Sequence, residues 1–267
     1  MPRALAGASV AEAEAGRHPW ETARAAFFAG LLAQHLPKDR PSAVLDVGAG
    51  DGYLASVMLA ALPSGSSVTC LDSGYGDEVL AQLARTAPPG VTFTRARPER
   101  VFDAVTLLDV IEHVIDDHGF VRAITEQSLR PGGTALFSVP AYPLLFTQHD
   151  IDLGHYRRYT RATFAALHAS APVDVAEMGG LFSSLLAPRG AQKLLELARG
   201  VRSRPAPAGL AEHIATDVGG WSGGPAVTRM IQSVLALDAA VGERLARAGV
   251  VAPGLSLWSV SRRKDAP

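Results

Sequence analysis

The spacing of apolar residues changes period several times along the chain. From Val10 to Leu36 they recur at helical intervals, Trp20, Phe27, Phe28, Leu31 and Leu32 among them, and Pro19 interrupts the run, so two helices are predicted there. The stretch from Pro37 to Pro41 is a breaker. Beyond it, strand-like and helix-like segments alternate: AVLDVG, GYLASVMLAAL, SVTCLDS, GDEVLAQLART, VTFTRA, FDAVTLLDV, a helix around Asp116 to Leu129, and TALFSV. PGG at 131–133 reads as a turn that ends the helix and admits the fifth strand. Such alternation predicts a parallel sheet with helices on both faces, an α/β architecture.

After Pro140 the pattern loosens into the loop AYPLLFTQHDIDLGHYRRY, a helix near Thr160 to Ser170 and a strand near Val173 to Met178. The last strand-like run, LSLWSVSRR at 255–263, is expected to pair antiparallel with 173–178. Residues 181–253 between them are too many for a hairpin turn and carry helical patches (LLELARG, RMIQSVLALDAAV), so they read as an inserted helical lid. The expected organisation is an N-terminal helical cap over 1–40, a core over 41–180, the lid over 181–253 and the last core strand over 254–267.

Composition narrows the classes of function. The 267 residues, 48% hydrophobic, suffice for one large α/β domain with a full core. A formal charge of −1 supplies no global field for nucleic acid or an anionic membrane, and neither a basic domain nor interleaved stacking aromatics appear. No nucleic-acid or membrane partner is expected. The single cysteine, Cys70, sits in an apolar run, which leaves no disulfide or thiolate cluster and favours the cytoplasm. Glu12 and Glu14 interrupt any N-terminal signal-like stretch, and no later segment stays apolar for a membrane span.

The stretch VLDVGAGDGYLA at 44–55 carries the first chemistry: a strand, a glycine-rich turn and a helix bring unpaired helix amides beside a nucleotide. A dinucleotide fingerprint needs a third glycine where this chain has Tyr53. The spacing is instead Gly48, Gly50, Gly52 after Asp46, which closely resembles the glycine loop of class I S-adenosylmethionine (SAM) dependent methyltransferases. Asp72 follows the next strand, and VFDAVTLLDVIEHVIDD with SLRPGGTALFSVP looks like the fourth and fifth strands of the same fold. The likeness runs from Val44 to Pro140 and on through HDIDLGHYRRYT, and is silent on the lid.

The resemblance implies a Rossmann-like, seven-stranded methyltransferase sheet with N-terminal helices and a helical insertion before the last strand. It implies SAM as cofactor and S-adenosylhomocysteine as product. Asp46 would answer the cofactor's positive charge, with Gly48, Ala49, Gly50 and Gly52 as the loop, Asp72 and Ser73 at the ribose, and Asp109 and Val110 beside them. Where the family often has an acid for the adenine amino group this chain reads RARPER, so backbone amides near Ala96 and Arg97 are expected to serve.

Methyl transfer asks the protein mainly for alignment and exclusion of water. An alcohol or phenol acceptor also needs a base, for which His113, His149 and His155 are candidates. A carboxylate acceptor needs a clamp instead, and Arg157, Arg158, Tyr159 and Arg161 form a basic and aromatic patch, with Arg157 and Tyr159 the residues chosen. Trp20 is expected to close over the site. Asp109, Glu112 and His113 are similar to the Glu-x-x-Glu-His motif of magnesium-dependent small-RNA 2′-O-methyltransferases and ubiquinone-pathway O-methyltransferases. The first acid here is one carbon shorter, so the expectation is no bound metal, with Mg2+ as the alternative. The expected activity is methyl transfer to an oxygen, hydroxyl or carboxylate, of a small molecule in secondary-metabolite biosynthesis. A SAM-binding protein of the same fold with cyclising or non-catalytic use is the second reading, and two copies could pair through apolar patches of the lid.

Overall fold

The computed structural model describes residues 14, 16–201, 203 and 221–265. The first of the two predicted N-terminal helices falls largely outside them. The second is α1 (Pro19–His35): Pro19 occupies its first turn, where a missing amide costs nothing, and His18 caps it by accepting from the Trp20 amide at 3.2 Å. Its buried face carries Phe28, Leu31 and Leu32, all at most 1% exposed.

The core alternates as its sequence pattern predicts: β1 (Ala43–Val47), α2 (Tyr53–Ala60), β2 (Ser67–Leu71), α3 (Asp77–Thr86), β3 (Val91–Thr94), β4 (Phe102–Leu108), α4 (Asp117–Ser128) and β5 (Leu129–Pro140). There follow α5 (Gln148–Asp152), α6 (Arg161–Ala169), β6 (Val173–Leu181), α7 (Leu186–Ala198), α8 (Pro225–Arg247) and β7 (Ser256–Arg263). One seven-stranded sheet results, in the order β3-β2-β1-β4-β5-β7-β6. The first five strands are parallel, and β7 inserts antiparallel between β5 and β6. Strand order reverses between β1 and β4, and in open α/β sheets a ligand crevice opens at that point beyond the strands' C-terminal ends.

The expected antiparallel pairing of 173–178 with the last strand is present, Val173 facing Arg263 and Met178 facing Ser259. Residue packing explains why this edge is Gly-rich: a Cβ on Gly179 would meet the ring of Trp258 at 2.6 Å. Trp258 is fully buried and takes Phe27 edge-on at 5.4 Å, joining the last strand to α1. The PGG segment differs from its reading as a turn before β5. Leu129 already pairs with Phe102, and PGG forms an irregular bulge before Thr134 pairs with Ala104, because the β4 edge continues to offer hydrogen bonds.

Residues 186–198 and 225–247 of the expected lid are helical. Helix α8 lies across α1 and β6, close enough that a Cβ on Gly242 would stand 2.7 Å from the Gly180 carbonyl. Leu235, Ala239 and Ala246 face inward, while Met230, Val234, Leu237 and Val241 are exposed. Among the described residues no helix is long and apolar enough to cross a membrane.

Candidate active site

A cavity of about 1450 Å³ opens beyond the ends of β1, β2 and β4 and is walled by α1, α7 and α8. Single small-molecule sites run to about 1,000 Å³, so a cofactor and an acceptor fit side by side.

At one end stands the glycine loop. Its three glycines, all with positive φ, do different things. A Cβ on Gly48 would lie 2.4 Å from Val110, and one on Gly52 2.5 Å from Phe93, whereas one on Gly50 would meet nothing within 4 Å. Gly48 and Gly52 are therefore bare for the protein's own packing, and Gly50 faces open space. Tyr53, at the place of a dinucleotide motif's third glycine, is buried beneath Arg17, whose guanidinium lies 4.1 Å from the ring centre.

Asp46 is buried at the end of β1. One oxygen accepts from Thr106 Oγ1 at 2.5 Å, while Oδ2 has no partner. Burial pushes its pKa up to about 6, against the opposing pull of Thr106 and Arg24. A buried, half-satisfied carboxylate lining a cavity suits a cationic ligand group. Asp72 accepts from the Gly50 amide at 3.2 Å through Oδ2 and from the Gly74 amide at 2.9 Å through Oδ1, which fixes its carboxylate and leaves a lone pair on each oxygen for a ligand. Tyr75 closes this corner by donating to the Gly50 carbonyl at 2.6 Å.

Ala49, Ser73 and Asp109 also line the cavity. Asp109 has a left-handed φ of 58° and is held by Arg24 at 2.9 Å and by the Ser138 hydroxyl at 2.9 Å. Gly52, Val110 and Ala96 are not in the cavity wall. Val110 packs on Gly48, and the Ala96 amide, one of the donors expected for a purine, is already donated to Thr94 Oγ1 at 3.2 Å.

His113, His149 and His155 come together at the other end. The chain that carries His155 is stitched down by the Tyr156 amide to the Glu112 carbonyl at 2.9 Å and by the Tyr159 amide to Pro140 at 2.8 Å. His155 meets Asp150 through Nδ1 at 2.9 Å and stacks edge-on with His113 at 4.7 Å. Burial and the neighbouring His155 push His113 down to about 4, so it is neutral at pH 7. Burial, with Arg189 alongside, also lowers the His149 pKa. Asp150 is fully buried, yet its pKa is lowered because the hydrogen bonds with His155, the Thr147 amide and Arg158, together with the Arg158 charge, outweigh the cost of burial. The opposite holds for Glu112: burial raises its pKa well above the usual range, and neither carboxyl oxygen has a partner.

The expected carboxylate clamp is not formed by the residues chosen for it. Arg157 pairs with Asp117 at 2.7 Å and with the Ile115 carbonyl at 2.8 Å, and the Tyr159 hydroxyl donates to Asp117 at 2.8 Å. Both are outside the cavity and tie the start of α4 to the loop after β5. Their neighbour Arg158 is the one that turns inward. Arg24, Tyr75 and Arg189 also line the cavity and are absent from the residues expected there. Arg24 alone had a signal, standing one helical turn beyond Trp20 on the face that lines the cavity.

Glu112, His113 and His155 bring three metal-capable atoms within 4.8 Å of one another. One carboxylate and two imidazoles do not suit magnesium, which takes oxygen ligands, and Asp109 is committed to Arg24 and Ser138. The Mg2+ alternative is not supported.

Residues 20–173 match the methyltransferase-domain family. The chain belongs to the class I SAM-dependent methyltransferases. No curated protein matches it in sequence. Among solved structures it is similar in fold to a protein described as a sarcosine dimethylglycine methyltransferase from Galdieria sulphuraria, at 14% identity and a TM-score of 0.54, covering 91% of this chain and 85% of that one. A methyltransferase of Haloferax volcanii, solved with the Trm112 activator, aligns at 17% identity and a TM-score of 0.53 over 96% of this chain and 93% of the other. One from Bacillus halodurans C-125 aligns at 15% identity and a TM-score of 0.50, over 90% and 99%. In this methyltransferase the open Gly50, the orphan Asp46 oxygen and the fixed Asp72 are features of the chain itself that fit such a cofactor.

Proposed function

We propose that this methyltransferase acts on an oxygen of a small molecule bound between the sheet edge and the lid, with His155 as general base. The observation that carries this reading is the Asp150–His155 pair. Asp150 takes Nδ1 at 2.9 Å, which fixes the ring, while Nε2 stands 3.9 Å from Glu112 Oε1, beyond hydrogen-bond range, and is left for a hydroxyl proton.

In the cofactor end, Asp46 would hold the ammonium and Arg24 the carboxylate of the methionine portion, with Gly50, Asp72 and Ser73 at the nucleoside. When bound, SAM supplies a methyl group already activated as a sulfonium. The chain contributes position, a proton acceptor and a dry cavity. His113, neutral and edge-on to His155, orients that ring, and Trp20 walls the acceptor. Placement in cytoplasmic natural-product biosynthesis belongs to the same reading, as do the cap, core and lid divisions. So does pairing of two copies through the exposed stripe Met230, Val234, Leu237 and Val241, which sedimentation would test.

The direct test is a screen of phenols and alcohols with SAM, reading S-adenosylhomocysteine. His155→Gln should abolish turnover while S-adenosylhomocysteine still binds. Binding of SAM with no transfer to any acceptor would favour a non-methylating role instead.

A further inference from the structure

Two guanidiniums, Arg158 and Arg189, stand at the lid end of the cavity with two carboxyls, Glu112 and Asp150. Burial pushes the Glu112 pKa well above its usual range, and the oxygens of Asp150 are nearly spent. Oδ1 accepts from Arg158 Nε at 2.8 Å and meets His155 Nδ1 at 2.9 Å. Oδ2 accepts from the Thr147 amide at 2.8 Å and from its hydroxyl at 3.1 Å. Arg158 also donates to the Ala141 carbonyl at 3.0 Å and is satisfied.

Arg189, on α7, reaches Asp150 Oδ2 only at 3.7 Å, beyond hydrogen-bond range. Its Nη1 donates to Gln192 at 2.9 Å, and its buried Nε has no partner. Glu196, further along α7, accepts from the Gln148 amide at 3.1 Å and the Ser203 hydroxyl at 3.0 Å. The Arg189 side chain is 12% exposed and lines the cavity. A guanidinium keeps its charge at any physiological pH, so burying one without a hydrogen-bonded anion is costly unless a ligand completes it.

On the reading that acceptors are methylated in this cavity, we propose that Arg189 recognises a carboxylate on the acceptor, remote from the oxygen that is methylated. A single guanidinium with an unpartnered Nε matches a monoanion, whereas a phosphate ester would bring two charges. The remoteness follows from connectivity. Asp150 lies between Arg189 and His155, on the Nδ1 side of the ring, and the proton-accepting Nε2 points the other way. Leu185, Pro188 and Ile231 line the same cavity and supply apolar wall, so the body joining hydroxyl to carboxylate is apolar. The acceptor class is a hydroxy acid with an aryl or alkyl frame.

The test uses the full-length protein saturated with S-adenosylhomocysteine, titrated calorimetrically with 4-hydroxybenzoate and with its neutral counterpart 4-hydroxybenzamide. The acid should bind about tenfold tighter or better, as expected for a charge-assisted pair. Arg189→Met should erase that ratio and Arg189→Lys retain part of it, with S-adenosylhomocysteine affinity unchanged in both. The Lys variant also decides the matter if the Met variant fails to fold. Equal binding of the two probes, a ratio that survives Arg189→Met, no binding of the acid at millimolar concentration, or tighter binding of 4-hydroxyphenyl phosphate would each overturn the proposal. Failure of S-adenosylhomocysteine to bind would instead strike the methyltransfer reading, and the probe ratio on cofactor-free protein would still judge Arg189.

Discussion

Asp150 Oδ1 serves two partners at once, His155 Nδ1 at 2.9 Å and Arg158 Nε at 2.8 Å, so one buried atom orients the candidate base and neutralises a buried cation. Asp150→Asn should therefore damage both functions. Turnover should fall by about 10²–10⁴, the range for a general base, and stability by about 3–5 kcal/mol, since Arg158 is left buried and unpaired. The lowered pKa of Asp150 gives this loss a pH signature. Stability from a depressed carboxylate is present above its unfolded value near 3.8 and disappears as pH falls below it. Melting curves of wild type and variant should be far apart at pH 7 and converge in acid; a constant gap would refute the assignment.

Asp46 shows the reverse sign. Its folded pKa of about 6 lies above the ordinary 3.8, so the ligand-free protein loses stability as pH rises between those values, by about 3 kcal/mol from that gap. A cation at the orphan oxygen recovers the loss. Binding of S-adenosylhomocysteine should weaken as pH drops through about 6, when Asp46 takes up its proton. Asp46→Asn should melt no lower than wild type at pH 7.5 yet bind the nucleoside at least tenfold more weakly. Calorimetry across pH 5 to 8 checks both; pH-independent binding in the wild type would sink the role of Asp46.

How much of this was readable from the chain follows from the range of each determinant. Strand and helix periods, the Asp46 loop and the position of Asp72 are local patterns, and the sheet order that unites them follows from βαβ handedness. The choice between Arg157 and Arg158 was not local. Adjacent residues in an irregular segment have no fixed period, and which one faces inward was decided by Asp117 taking Arg157 and Asp150 taking Arg158. Arg189 lies in an insertion with no motif, and only the fold carries it to Asp150.

The glycine loop separates packing from ligand access. Gly52→Ala places a methyl group 2.5 Å from Phe93 at a φ of 77°, so strain and overpacking together should cost about 2–4 kcal/mol. Gly50→Ala carries only the conformational strain, about 1–2 kcal/mol, because the added atom meets nothing within 4 Å. It does occupy the cavity, so its larger effect should be on nucleoside affinity. Thermal melts and S-adenosylhomocysteine titrations on both variants should rank them oppositely. The same ranking in the two assays would mean that Gly50 does not face a ligand.

The inward turn of Arg158 rather than Arg157 yields the last prediction. Arg157, Asp117 and Tyr159 form a set, with side-chain contacts of 2.7 Å and 2.8 Å, that holds α4 to the loop after β5, and none of the three lines the cavity. Burial and the Asp117 hydrogen bond raise the Tyr159 pKa, so the hydroxyl stays a donor throughout the working range. Tyr159→Phe should lose about 1–2 kcal/mol, and Arg157→Ala less because that side chain is 31% exposed. Neither should change the acceptor KM, whereas His155→Gln should remove turnover without lowering the melting temperature comparably. A raised KM in Arg157→Ala would return that arginine to the acceptor site and require the loop to open in solution.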